Sequence, residues 1–268
     1  MNNIGRIVFG CIAALIIIAA IILLIPFGMS AENAKKMADD AFANLEEKSA
    51  SAKYLQVDSD YNTLYFYNPV KLGDASGNVI GRIDFNKATV KADGTPEDGA
   101  YTSGSIIIGN MKVKDTTDVY KWYVIKTAVN GKEGDTKGYK TFATLEEAIN
   151  YAKSTFPQST AMVNLLGENL YNIMATFVKP ASETFKVTGG SKAIAGAGSV
   201  TIQSNDETIT ETLQISNNLI KKCTISQKDG DKTNIQSFTF KYNGELKMTD
   251  ALLRGLTEFT DTPTIDGA

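Results

Sequence analysis

"SVTIQSNDETITETLQISNNLIKKCTISQKDGDKTNIQSFTFKY", Ser199 to Tyr242, is the stretch that decides the fold. Phe238, Phe240 and Tyr242 alternate with Ser237, Thr239 and Lys241. That period of two puts one set of side chains on a buried face and the other in water. Four such runs follow one another: "SVTIQS", "TITETLQIS", "LIKKCTISQ" and "IQSFTFKY". Asn205-Asp206, Asn217-Asn218 and Asp229-Gly230 separate them, and connections this short join only antiparallel neighbours. The stretch therefore predicts an antiparallel meander.

Upstream of it the period changes to 3.6. "TLEEAINYAKSTF" opens with Thr144 and carries Glu147 three residues on, a capping box, with Leu145, Ala148, Ile149, Ala152 and Phe156 on its apolar face. Pro157 ends this helix, and "STAMVNLLGENLYNIMATF" predicts a second one with Met162, Leu166, Leu170, Ile173 and Phe177 on one side. Before the helix pair, strands return in "TLYFYNPV", "NVIGRIDFNKATVK", "SIIIGNMKVK" and "DVYKWYVIKTAV", separated by turns at Asp74–Gly77, Asp93–Pro96 and Asn130-Gly131. "AENAKKMADDAFANLEEKSASAKYLQ", Ala31 to Gln56, spaces Ala34, Ala38, Ala41, Leu45, Ala52 and Leu55 as a helix docked on the domain. From Asp250 the chain predicts a short helix through Leu252, Leu253, Leu256 and Phe259, then a disordered tail to Ala268. The fold class is α+β: a curved, mainly antiparallel sheet of about eight or nine strands, with an N-terminal helix and an inserted helix pair, in one domain over 31–249.

Ile7 to Ile25 is nineteen residues without a charge. At about 1.5 Å per residue such a helix matches a bilayer's hydrocarbon core of about 30 Å. Residues 1–30 are read as one retained transmembrane anchor, with residues 31–268 outside the cytoplasm in a single-pass cell-membrane protein. Gly28-Met29-Ser30 places small residues before Ala31, so a cleaved signal peptide and a secreted domain form the alternative. Cys11 lies early in the apolar run, with most of it following, which does not suit lipidation.

Composition narrows the chemistry. The chain has no histidine, which removes Ser-His-Asp triads, Cys-His pairs, His-ligated zinc and histidine general bases. Its net charge of -3 comes from 27 basic and 30 acidic residues without a basic run, so no nucleic-acid partner is expected. Cys11 and Cys223 are read as buried thiols rather than a disulfide. Asp74, Ser76 and Asn78 have the spacing of a calcium loop, but Phe85 stands where its bidentate Glu belongs, so a polar turn is the reading. Asp229 and Asp231 are read as hairpin-turn residues. "GGSKAIAGAGS", Gly189 to Ser199, lacks the phosphate-loop spacing and is read as a flexible loop, with a lid as the alternative. Tyr65, Phe66, Tyr67, Tyr120, Trp122 and Tyr123 are assigned to packing. No cofactor, metal site or catalytic residue is expected, so the chain is read as a non-enzyme.

The order helix, antiparallel strands, inserted helices and more antiparallel strands, behind an export segment, resembles the periplasmic lipoprotein carriers and related lipid-binding envelope proteins. That resemblance covers most of Ala31 to Asn243 and implies an incomplete barrel closed by helices over an apolar cavity. The retained anchor and the lack of a lipidation cysteine depart from that family, and no residue role is carried over from it. The expectation is a membrane-anchored binding domain for a lipid or other apolar molecule, whose cavity, if it exists, is closed by the inserted helices with Met162, Leu166, Leu170, Ile173 and Phe177 facing the concave side of the sheet. The alternative is a structural or adhesive envelope ectodomain in which those residues pack solidly, and loops near Asp93–Gly99 and Gly131–Gly138 meet a protein or glycan.

Overall fold

The computed structural model describes residues 26–60, 62–85, 104–114, 116, 118–127, 137–155, 160–178, 184–193, 196–242 and 244–259. The apolar run 7–25, Cys11 within it, the 93–99 loop and 131–136 of the second expected loop lie outside them, as does the tail beyond Phe259. Among the described residues no helix is long and apolar enough to cross a membrane.

The chain is α+β. Its elements are β1 (Pro26–Met29), α1 (Ala31–Ser51), β2 (Tyr54–Ser59), β3 (Asn62–Tyr67), β4 (Val79–Phe85), β5 (Gly104–Lys112), β6 (Tyr120–Lys126) and β7 (Gly138–Phe142). Three helices follow, α2 (Leu145–Thr155), α3 (Thr160–Val163) and α4 (Leu170–Phe177). Then come β8 (Phe185–Ala193), β9 (Gly198–Ser204), β10 (Ile209–Ser216), β11 (Leu219–Asp229), β12 (Lys232–Lys241) and β13 (Thr257–Glu258). Hydrogen bonding orders the strands β1-β8-β9-β10-β11-β12-β2-β3-β4-β5-β6-β7-β13, and the sheet is mostly antiparallel, with β13 lying parallel to β7.

Thirteen strands replace the expected eight or nine, for three reasons. Tyr54, Leu55 and Gln56 leave the helical pattern and open β2, paired to β3 from Tyr54↔Tyr67 onward. The glycine-rich stretch expected to be a loop supplies the end of β8 and the start of β9. β1, β7 and β13, at four, five and two residues, are too short to show a period. The expected helix pair is three segments, because the second breaks at 164–169, where Gly167 adopts φ +92°. The expected C-terminal helix is a 3₁₀ turn, Asp250–Leu253, followed by β13.

Two compact units divide the chain. The first comprises Met1–Leu45 and Val178–Gln236, the second Glu46–Phe177 and Ser237–Ala268. In the first, α1 buries Ala34, Met37, Ala38, Ala41, Phe42 and Leu45, while β9 to β11 bury Val200, Ile202, Leu213, Ile215, Ile220 and Cys223. Helix and strands approach closely at Gly190 and Gly198. A Cβ on Gly190 would strike the Ser199 carbonyl and come within 3.2 Å of Ala34 Cβ; one on Gly198 would strike the Ser191 carbonyl and meet Met37 Cε at 2.7 Å. Those glycines are therefore spacing devices for packing.

The second unit has apolar clusters on alternate residues of β5. Ile106 and Ile108 pack with Tyr54, Tyr67, Val124 and, from the helices, Ala148, Tyr151, Ala152 and Val163. Ile107 packs with Val79, Met111, Tyr123, Ile125 and Met248, covered by Leu246, Leu252, Leu253 and Leu256 of the C-terminal segment. The run of three isoleucines is thus a strand buried on both faces.

Candidate functional site

Among the described residues, the five named for an apolar lining are not gathered around one pocket. Met162 and Leu166 meet the sheet at Tyr65, Gly81, Arg82, Ile106 and Ile108, where the remaining space is about 10 Å3. That is room for roughly one water. Gly81 is what lets Leu166 in, since a Cβ there would collide with the leucine's methyls. Leu170, Ile173 and Phe177 on α4 are buried. The Phe177 ring lies 5.2 Å from that of Phe238, and Tyr242 Oη donates to Met174 Sδ at 3.0 Å. Two of the five share a crevice and three are packed side chains.

A larger opening lies in the first unit, where sequence reasoning named no site. β1 pairs with β8 in the register Pro26↔Ala193, Phe27↔Lys192, Gly28↔Ser191 and Met29↔Gly190. Ser30 then caps α1: its Oγ accepts from Asn33 N at 3.3 Å, and its carbonyl accepts from Ala34 N at 2.9 Å. Strand and helix leave between them a groove of about 560 Å3, lined by Phe27, Asn33, Lys36, Met37, Asp40, Lys192 and Asn218 among others. Phe27 is 51% exposed. Lys35 is bound to Asp39 at 2.7 Å, whereas Lys36 and Lys192 form no ion pair among the described residues. The signal available in sequence was Lys192 within the glycine-rich run, but only the strand pairing sets it opposite Phe27.

The remaining polar clusters hold the fold together. Asp84 Oδ1 accepts from Arg82 Nε at 2.6 Å and from Ser105 Oγ, and the guanidinium stands 5.8 Å from the centre of the Tyr65 ring. Asn78, from the stretch with calcium-loop spacing, is buried and donates through Nδ2 to the Asp74 carbonyl at 2.9 Å, closing a turn in which Gly77 has φ +77°. Asp229 flanks the β11–β12 turn as expected. Cys223 is buried and free, and its thiol donates to Glu211 at 3.1 Å. Burial, with the Glu211 charge beside it, pushes that thiol far above its ordinary range, so it is not a nucleophile at neutral pH. Tyr123, Phe66 and Tyr67 are buried as packing residues, with Tyr65 and Trp122 partly so, whereas Tyr120, expected to pack, is exposed at the start of β6. No group of three potential metal ligands occurs among the described residues.

No protein family, curated protein or solved structure matches the chain.

Proposed function

We propose that the protein is a membrane-anchored, extracytoplasmic, non-enzymatic envelope domain that meets a protein or glycan partner on its surface. One observation supports this reading over a carrier that encloses a lipid between the inserted helices and the sheet. The crevice beside Met162 and Leu166 holds about 10 Å3, against the several hundred Å3 a lipid-sized ligand needs. The address rests on the uncharged run Ile7–Ile25, which is long enough to span a bilayer. The absence of histidine from the chain supports the non-enzymatic reading.

The test compares lipids extracted from the purified full chain with those from Met162→Trp, which fills the crevice. Identical lipid profiles are expected. A lipid species held by the natural chain and lost in the variant would overturn the proposal in favour of a carrier. Protease added to spheroplasts is expected to digest residues 31–268; full protection would overturn the extracytoplasmic placement.

A further inference from the structure

The groove of the first unit begins where the apolar run stops. Ile25 is followed at once by Pro26, the first residue of β1, so the chain passes from that run into the sheet edge without a linker. On the anchored reading, the bilayer that the run spans must lie beside β1. Phe27 stands there directly opposite Lys192, and residues opposed across an antiparallel pair have Cβ atoms roughly 5 Å apart. Lys36 on α1 lines the same groove. A half-exposed phenyl ring next to two exposed ammonium groups combines the apolar and basic side chains found in segments that lie at a bilayer interface. Among the residues lining the groove Asp40 is the only acid, since Asp39 is engaged outside it with Lys35.

From this juxtaposition we propose that the β1–α1 groove docks on the anionic phosphate headgroups of the leaflet into which residues 7–25 insert. Phe27 sits at headgroup depth, and Lys36 and Lys192 each face a phosphate. The inference rests on the anchored reading of the run, and it fixes the first unit against the membrane rather than leaving it tethered and free. Juxtamembrane lysines attract an anionic surface, and the attraction fades with salt.

Acetylation of lysines by a water-soluble reagent reads the ammonium groups directly. The full natural chain is reconstituted in nanodiscs of phosphatidylcholine alone or with about one-quarter phosphatidylglycerol, at low and at high salt. Lys36 and Lys192 are expected to react roughly fivefold more slowly in the anionic discs at low salt, the effect of about one charge near such a surface. The difference should vanish at high salt, and Lys71 and Lys228 should react alike throughout. Equal reactivity of Lys36 and Lys192 in both lipids, from a chain that has entered the discs, overturns the headgroup site alone. A chain that enters neither kind of disc overturns the anchor and, with it, this inference.

Discussion

Asn217 and Asn218 carry φ values of 53° and 54°, the left-handed pair that a two-residue hairpin between β10 and β11 requires. Asparagine tolerates that region far better than a β-branched residue does. The Asn218 carbonyl also receives the Asn44 side-chain amide at 2.9 Å, tying the turn to α1. Asn218→Val is expected to destabilise the protein by about 1–3 kcal/mol, and Asn218→Gly to leave it near its natural stability. Urea denaturation checks both, and equal midpoints for the two variants would remove the turn from the account. This turn was legible in the sequence, as was the capping box, where Glu147 N donates to Thr144 Oγ1 at 3.2 Å and Glu147 Oε2 accepts from Thr144 N at 3.0 Å. Gly190 and Gly198 were not. A glycine in a strand and a glycine in a loop look the same in one sequence, and only Ala34 and Met37 pressing on them tells the two apart.

Among the elements, β2 shows how local patterning is overridden. Leu55 continues the spacing of the preceding helix, yet its place is in β2, opposite Phe66 of β3. The pairing with β12 sets Asp58 opposite Thr239, with Lys241 close by. Burial raises the Asp58 carboxyl, but hydrogen bonds from Gln56, Lys241 and Thr63 outweigh it and hold the group below its ordinary value of 3.8. A lowered carboxyl adds stability above the ordinary value and loses it as pH falls through the folded one. The natural protein is therefore expected to lose stability below about pH 4 more steeply than Asp58→Asn, while the two run parallel near neutrality. Thermal unfolding across that range decides it, and identical acid limbs would contradict the assignment. The candidate site was hidden at this same scale. Lys192 and Phe27 are far apart in sequence, and β1 is too short to announce the pairing that joins them.

For the molecule as a whole, the broad class was readable because strand alternation flanks a capped helical block on both sides. The strand count was not, since the strands it missed are short or glycine-rich, or were read as helix. One of them, β13, has a role out of proportion to its two residues. Thr257 and Glu258 lie along Gly138 and Tyr139 of β7, Phe259 N donates to the Tyr139 carbonyl at 2.8 Å, and Thr141 Oγ1 donates to Glu258 at 3.1 Å. Without them, β7 would offer a row of unpaired amides and carbonyls to any passing strand. The short clasp thus covers part of the β7 edge. Chains ending at Leu256 are expected to fold, yet to associate with rising concentration and bind an amyloid-sensitive dye, whereas the full chain stays dispersed. In that sense the last described residues govern the company the protein keeps, and a single proteolytic cut before Thr257 is expected to leave the β7 edge open to a second copy of the chain.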